Sequence, residues 1–289
     1  MKYKIEKYKN CERFNDQYQE IYEFLLEAES QKFNEHFHWG RFEWMHGHSM
    51  LEKDKLDQVT MFKDTDSKIV GLVTHDTWYG DRVYLIHTIT DETLLNEMID
   101  FVLEREDDNV VIKVNNFDDA LCKVLKKRQF EKKNKDVNVL ELDLSKDLSY
   151  NIPTEYWISP LSMDIDLWQY QLAIHKGFDQ EGIPEKWDDE LVAPKPHEDE
   201  YFKTFAIKNE EYCSHCGLWY MKGDTAYVEP VATVPQHRKL GLAKAAIYES
   251  CKRAKKKGAK RAIVLSDQEF YYRIGFECSS EVYCWEKSF

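Results

Sequence analysis

The sequence lacks a long apolar run, and this absence excludes whole classes of protein. No segment of the 289 residues approaches roughly 18 consecutive apolar residues, the length that a membrane-spanning helix needs. The amino-terminal stretch MKYKIEKYKN has no apolar run after its lysines, so we expect neither a signal peptide nor a membrane partner. A cytoplasmic location follows as an expectation.

Excess positive charge and a paired cysteine pattern are also missing. The formal net charge is −13, which would repel a phosphate backbone, so we expect no nucleic-acid partner and favour a cationic one. The seven cysteines are odd in number and irregularly spaced, which fits reduced thiols better than a disulfide framework. What is present is a hydrophobic share of 43%, with 14% aromatic residues, enough for a globular core.

The same order of predicted elements occurs twice along the chain. The first copy has predicted strands at 59–62, 68–74, 82–87 and 110–114 and helices at 94–104 and 117–128. The second copy has predicted strands at 202–207, 212–221, 226–233 and 261–265, a helix at 240–257 and a short helix ending before Gly275. This order predicts an α/β fold, or α+β layers, with helices packed on a sheet. The polar segment 145–155 is typical of a linker, so we place a boundary near Tyr150, between domains 1–150 and 151–289.

The segment PQHRKLGLAKA, residues 235–245, joins a predicted strand to the long helix of the second copy. The first N–H groups of a helix have no internal partners and suit an anion such as a phosphate. Gly241 lets the backbone approach that anion closely, and Arg238 adds a forked, charged donor. Neither a P-loop nor a Rossmann glycine motif is present. On its own, R-x-x-G-x-A also fits a basic helix start whose glycine serves packing.

Two motifs in the right order carry a family resemblance. The segment 226–277 has a strand that ends in V-x-x-x-P, then R-x-x-G-x-A and a helix, then a strand and a helix that ends in Y-x-x-x-G-F at Tyr271–Phe276. This segment of about 50 residues resembles the GCN5-related N-acetyltransferase (GNAT) superfamily. The resemblance implies two GNAT-like domains, each a mixed central sheet with helices on both faces.

The resemblance also implies a co-substrate, acetyl-CoA, and roles for individual residues. The strand backbone at Val231, Ala232 and Thr233 would pair with the pantetheine arm. The turn amides would bind the pyrophosphate; they belong to Arg238, Lys239, Leu240, Gly241, Leu242 and Ala243. Tyr271, four residues before the glycine of the second motif, would donate a proton to the departing thiolate. No metal is implied.

The chemistry needs a base, because an ammonium group has no lone pair with which to attack a thioester. Glu229, two residues before Val231, is the best acidic candidate, acting directly or through a water. A solvated surface carboxylate is the alternative interpretation of Glu229. Tyr272 is a rival to Tyr271, but on a helix the two side chains point about 100° apart. The motif spacing favours Tyr271.

The first copy departs from the family pattern. Leu125 stands in the tyrosine position, Gln129 in the glycine position, and no R-x-x-G-x-A follows His87. The first domain therefore resembles a degenerate acetyltransferase domain that has lost its cofactor loop. We expect it to shape the acceptor pocket or to brace the second copy.

Three further patterns have ordinary explanations. Four histidines, at positions 36, 38, 46 and 48, lie among aromatic residues in a segment whose helical period Gly40 and Gly47 interrupt, which favours packing or pocket lining over a metal. The CSHC segment 213–216 lies in a predicted strand, where cysteines three apart point to opposite faces, so we expect no metal there. The basic run 252–260 is typical of a solvated helix end, with attraction of the coenzyme 3′-phosphate as the alternative.

Two functions of different classes remain. The first is an N-acetyltransferase that moves acetyl from acetyl-CoA to a primary amine by direct attack in a ternary complex, with a small cationic amine as acceptor. The second is a non-catalytic acyl-CoA-binding sensor or scaffold. The presence of Tyr271 beside an intact loop favours the enzyme.

Overall fold

A computed structural model describes residues 2–9, 13–48, 51–77, 82–105, 109–187, 195–197, 199 and 201–288. The described strands are, in chain order, β1 (Lys4–Lys7), β2 (Thr60–Lys63), β3 (Ile69–Thr74), β4 (Arg82–His87), β5 (Asn109–Asn115), β6 (Glu131–Asp143), β7 (Trp157–Ile158), β8 (Tyr201–Lys208), β9 (Glu211–Trp219), β10 (Thr225–Thr233), β11 (Arg261–Leu265) and β12 (Glu277–Ser288). The described α-helices are α1 (Asp16–Ala28), α2 (Trp39–His46), α3 (Glu92–Leu103), α4 (Asp119–Lys127), α5 (Leu167–Gly177), α6 (Leu242–Lys257) and α7 (Glu269–Arg273).

The predicted order of elements is confirmed in both copies. Strands β4 and β11 have the predicted ends, and the other predicted strands and helices differ from the structure by a few residues at most. The prediction that Gly40 and Gly47 both interrupt the helical period is wrong for Gly40. Gly40 lies in the first turn of α2, where its N–H donates to the His38 ring, and Gly47 ends that helix. These two glycines mark the ends of a helix.

The described residues form two compact units. The first unit contains the chain up to Val139 together with Leu265–Asp267 and the residues from Cys278 onward. The second unit contains Leu140–Val264 and Gln268–Glu277. Neither unit includes a described helix with the length and apolar composition of a membrane span.

In the first unit the strand order is β1, β2, β3, β4, β5, β12 and then the first part of β6. Strands β4 and β5 are parallel, whereas the pairs β1–β2, β2–β3, β3–β4 and β5–β12 are antiparallel. Helices α3 and α4 bury Leu94, Met98 and Leu125 against Val83 and Ile112. This α/β layer forms because each helix has one apolar face that only the sheet can cover.

In the second unit the strand order is the end of β6, then β11, β10, β9, β8 and β7. Strands β10 and β11 are parallel, and β10–β9, β9–β8 and β8–β7 are antiparallel. Helix α6 packs Ile247 and Cys251 against Cys216 and Leu218. Helix α5 packs on the other face of the same sheet, where Tyr170 lies in one cluster with Phe205 of β8. The sheet is therefore mixed and has helices on both faces, as the resemblance implied.

The last strand of each copy lies, in whole or in part, in the unit formed by the other copy. Strand β12 comes after the second copy but lies beside β5 in the first unit, and residues Leu140–Asp143 of β6 come after the first copy but belong to the second unit. The boundary near Tyr150 stays a prediction; the second unit begins at Leu140, and the first unit includes Leu265–Asp267 and the residues from Cys278 onward. Local patterns cannot assign such strands, because strand pairing is set by contacts remote in sequence.

Substitution of Trp285 tests whether β12 belongs to the first unit. Its side chain is buried in the core of the first unit, so Trp285→Ala should destabilise that unit by about 3–5 kcal/mol. Hydrogen exchange should become faster in β4 and β5 and stay unchanged in β10 and β11. Glu286→Ala, at the half-buried next residue on the opposite face of the strand, is the control. Faster exchange confined to β10 and β11 would contradict the assignment of β12.

Candidate active site

Strands β10 and β11 separate beyond a short paired region. They pair in parallel through Thr225–Arg261, Ala226–Ala262 and Tyr227–Ile263. Strand β10 continues to Thr233, and in the described residues no pairing with β11 follows Tyr227. One edge of β10 is therefore open to a ligand in the crevice beside the carboxyl ends of the parallel strands.

A β-bulge bends β10 at the start of this open edge. Val228 pairs with Leu218 and Val231 with Cys216, so Glu229 and Pro230 together face Gly217. A Cβ atom at Gly217 would lie 2.5 Å from the Glu229 carbonyl oxygen, so only glycine fits there. The same carbonyl accepts a hydrogen bond of 3.1 Å from the Trp219 indole N–H.

The pairing of β10 with β9 determines which backbone groups face the opening. The Val234 N–H donates to the Cys213 carbonyl at 3.0 Å, and antiparallel pairs alternate between bonded and non-bonded. By this alternation the backbone groups of Val231 and Thr233 point away from β9, and those of Ala232 point towards it. An extended ligand would therefore pair with Val231 and Thr233, two of the three predicted strand residues.

The loop between β10 and α6 exposes backbone donors. Residues Pro235–His237 form a 3-10 turn, Lys239 has φ of 66°, and Gly241 has φ of 80° immediately before α6. A residue with a side chain would be strained at this Gly241 conformation, and its Cβ would lie 3.2 Å from the Asn151 carbonyl oxygen. Because the residue before the helix is a glycine, no side-chain acceptor from that position covers the first amides of α6. These amides suit an anion.

A cavity of about 760 Å³ in the second unit joins the strand edge to this loop. Its lining residues are Gly177, Phe178, Asp179, Val231, Ala232, Thr233, His237, Arg238, Lys239, Gly241, Leu242, Ala243, Lys244, Gln268, Phe270, Tyr271 and Arg273. Most of the predicted site residues are thus brought together. Leu240, which is 38% exposed, and Glu229 are not part of the lining. Lys244 and Arg273 were missed by the sequence, although both lie within a few residues of the motifs.

The Arg238 side chain lies in the cavity lining and is hydrogen-bonded to protein acceptors. Its guanidinium donates to the Asp179 carboxylate at 2.9 Å and to the carbonyls of Gly177 and Thr233 at 3.0 Å. Arg238 therefore ties the loop to the end of α5 and to β10, and the positive charge near the helix start comes from Lys239 and Lys244. The fork of donors matches these carbonyl and carboxylate acceptors as well as it matches a phosphate.

Tyr271 lies in the cavity lining with a buried ring. It is 7% exposed and contacts the rings of Phe270 and Phe276 edge-on, with centroids 5.1 and 5.5 Å apart. Burial raises the pKa of its hydroxyl well above the usual value, and the charges of Cys216 and Glu229 raise it further. The phenol therefore keeps its proton at neutral pH. Tyr272 is 40% exposed and is not part of the lining.

Glu229 lies among aromatic side chains at the bulge. Its carboxylate accepts a hydrogen bond from the Tyr227 hydroxyl, and its charge helps to raise the pKa of Tyr201. Tyr201 stacks on Trp219 with ring centroids 4.0 Å apart. The half-buried carboxylate is thus held in a partly apolar environment, which the sequence did not indicate because these strands are remote from one another.

The histidine-rich segment belongs to the first unit. His36 and His46 are buried there, and burial lowers their pKa to about 4 and about 3. Nε2 of His38 lies 3.1 Å from the Glu29 carboxylate. These contacts agree with the packing interpretation of the segment.

Part of the sequence matches a family model, and the fold is similar to that of several solved structures. Residues 165–276 match a model of the acetyltransferase (GNAT) family. No curated protein matches the chain.

Three solved structures share the fold at low sequence identity. A tandem GNAT protein from the clavulanic acid biosynthesis pathway is 10% identical, with 99% of this chain and 98% of that chain covered and a TM-score of 0.60. A GCN5-related N-acetyltransferase from Sphaerobacter thermophilus is 11% identical, with 99% and 96% covered and a TM-score of 0.56. Another from Kribbella flavida is 14% identical, with 80% and 86% covered and a TM-score of 0.54.

Gly241 tests the anion site. Gly241→Asp places a strained residue and a negative charge beside the first amides of α6, so coenzyme A should no longer bind in a calorimetric titration. Gly182→Asp is the matched control, because Gly182 also has a positive φ of 75° and a Cβ there would meet nothing within 4 Å. Unchanged affinity in a folded Gly241→Asp protein would refute the site.

Proposed function

We propose that the protein is an N-acetyltransferase, because residues 165–276 match the model of the acetyltransferase (GNAT) family. It moves acetyl from acetyl-CoA to a primary amine by direct attack in a ternary complex. The observation that carries this proposal is the cavity, which joins an open strand edge, a helix amino terminus and the buried Tyr271. The described cysteines are free thiols, which supports a cytoplasmic enzyme.

The proposed pose of acetyl-CoA uses the backbone first. Its pyrophosphate meets the amides of Gly241, Leu242 and Ala243, with Lys239 and Lys244 supplying positive charge. Its pantetheine arm lies along β10 and pairs with Val231 and Thr233. The Thr233 carbonyl already accepts from Arg238, so the arm must share this acceptor or displace that guanidinium.

The proposed reaction has one attack and one departure. The neutral amine nitrogen attacks the thioester carbonyl carbon, and backbone N–H donors aimed at the developing oxyanion can lower the barrier by roughly 3–4 kcal/mol. The C–S bond then breaks, and the amide keeps the acetyl group. Glu229 takes the proton from the amine, directly or through a water, and Tyr271 gives its proton to the coenzyme thiolate. The position of Tyr271 in the cavity lining supports the second role.

The proposed acceptor is a small cationic amine. The formal charge of −13 attracts cations to the protein, and Glu229 offers a half-buried carboxylate that accepts a hydrogen bond from the Tyr227 hydroxyl. A carboxylate of this kind can pair with an ammonium group. The same carboxylate can then act as the base once the amine is bound.

Only the second copy is proposed to bind the coenzyme. In the first copy Asp91 caps α3, where its carboxylate accepts from the Leu94 N–H at 3.0 Å and pairs with Lys2 at 2.8 Å. These two contacts lower the pKa of Asp91 to about 2, so a fixed negative charge covers the amides that a pyrophosphate would need. The first copy nevertheless has the same turn after its second helix. Gln129, which stands at the position of Gly275, has a positive φ of 63°, and Gly275 has a φ of 93°.

Tyr271 provides a test of the acid role. Tyr271→Phe should leave coenzyme affinity unchanged and lower turnover by roughly 10²–10⁴-fold, the usual effect of losing a general acid. The lower end is expected, because a thiol pKa of about 8.5 makes the need for a proton moderate. Tyr272→Phe, on an exposed neighbour, should change little. Wild-type turnover in Tyr271→Phe would show that another group protonates the thiolate, or that none does.

Calorimetric titration with acetyl-CoA should give one molecule per chain. Two molecules per chain would contradict the role assigned to Asp91.

A thiol-release assay over a panel of primary amines then tests the reaction itself. Coenzyme binding without thiol release on any amine would favour the sensor or scaffold over the enzyme.

A further inference from the structure

Three side chains of the second unit bring metal-binding atoms together outside the catalytic groups. A carboxylate oxygen of Glu211, the sulfur of Cys213 and a ring nitrogen of His237 all lie within 4.8 Å of one another. Glu211 and Cys213 are two residues apart on β9, so their side chains point to the same face of the sheet. They are half-buried and buried, respectively.

The fold brings His237 to this pair through the loop that follows β10. The Val234 N–H donates to the Cys213 carbonyl at 3.0 Å, and the His237 N–H donates to the Val234 carbonyl at 2.9 Å. The 3-10 turn Pro235–His237 is thereby held against the start of β9. The convergence thus depends on backbone hydrogen bonds and not only on side-chain orientation.

Neighbouring groups orient two of the three side chains. Lys176 lies 3.4 Å from Oε1 of Glu211, which leaves Oε2 directed to Nε2 of His237 at 3.6 Å. On the other side of the ring, Nδ1 lies 2.8 Å from the Tyr156 hydroxyl. When Nδ1 carries the proton and donates a hydrogen bond to the Tyr156 oxygen, Nε2 has a free lone pair, which faces Glu211 and Cys213. Metal-binding histidines have this arrangement, with one nitrogen hydrogen-bonded and the other on the metal.

We propose that Glu211, Cys213 and His237 bind a zinc ion. Zinc bonds to sulfur, nitrogen and oxygen are about 2.0–2.3 Å long, so neighbouring ligand atoms in a tetrahedral site lie roughly 3.4–3.7 Å apart. The separation of Nε2 and Oε2 already has this value, and no separation of ligand atoms needs to shrink by more than about 1 Å. Zinc replaces the thiol proton of Cys213, which is released to solvent, and water takes the fourth position.

The structure distinguishes this site from the one that the CSHC segment suggests. Cys216 packs in the core beside Leu218 and Cys251, on the α6 side of the sheet. His215 packs against Tyr170 and Phe205. Of the two cysteines in that segment, only Cys213 lies with Glu211 and His237, and these two partners come from outside the segment. The ammonium of Lys176 opposes a cation, so the affinity should be lower than that of a four-cysteine site.

Cobalt provides the test, since a thiolate ligand gives Co²⁺ an intense charge-transfer absorption. The full-length protein, without a histidine tag and freed of metal by dialysis against a chelator, is titrated with Co²⁺ and then with Zn²⁺. One Co²⁺ per chain should bind with this absorption, zinc should displace it, and about one proton per zinc should be released in weak buffer. Cys213→Ala and His237→Gln should weaken binding at least about tenfold.

Cys216→Ala is the matched control and should bind Co²⁺ as the natural protein does. Circular dichroism checks the fold of each variant, and Glu211→Gln at a half-exposed position repeats the test if Cys213→Ala does not fold. A natural protein without the thiolate absorption would overturn the proposal. So would a folded Cys213→Ala protein that keeps the absorption, or a Cys216→Ala protein that loses it.

Discussion

The contact between Gly217 and the Glu229 carbonyl is the constraint on which the site depends. Because β9 has no Cβ at this position, β10 can hold two residues opposite one and bend at the bulge. The bend follows the last paired residue of β10 and β11, so the rest of β10 offers a free edge. The cavity, the orientation of Val231 and Thr233, and the position of Glu229 all follow from this one close approach of two strands.

The two copies share a fold but differ at one position that matters for the proposed coenzyme site. Both have parallel strands that pair over three residues, a helix that follows, and a turn closed by a residue of positive φ. They differ at the residue before the helix, which is Gly241 in one copy and Asp91 in the other. A glycine leaves the helix amides to an external anion, and an aspartate supplies the anion itself.

Sequence reasoning placed both motifs at the ends of helices because the evidence for them is local. The positions of Gly241 and Tyr271 within their motifs, and the contrast between Tyr271 and Tyr272, need only a helix and its spacing. It failed where partners are remote in sequence. The acceptors of Arg238 include Asp179, about 60 positions away, and the aromatic surroundings of Glu229 come from three strands. No pattern along the chain indicates which of several strands will be neighbours.

The position of β12 has a consequence for how the chain is made. This strand leaves the ribosome after the rest of the second copy, yet it pairs with β5, which is synthesised long before it. Until then β5 has an unpaired edge, and unpaired strand edges invite pairing with other chains. The two compact units therefore cannot be separated into two self-sufficient proteins by a single cut, because a cut between the copies would leave β12 on the piece that does not contain β5.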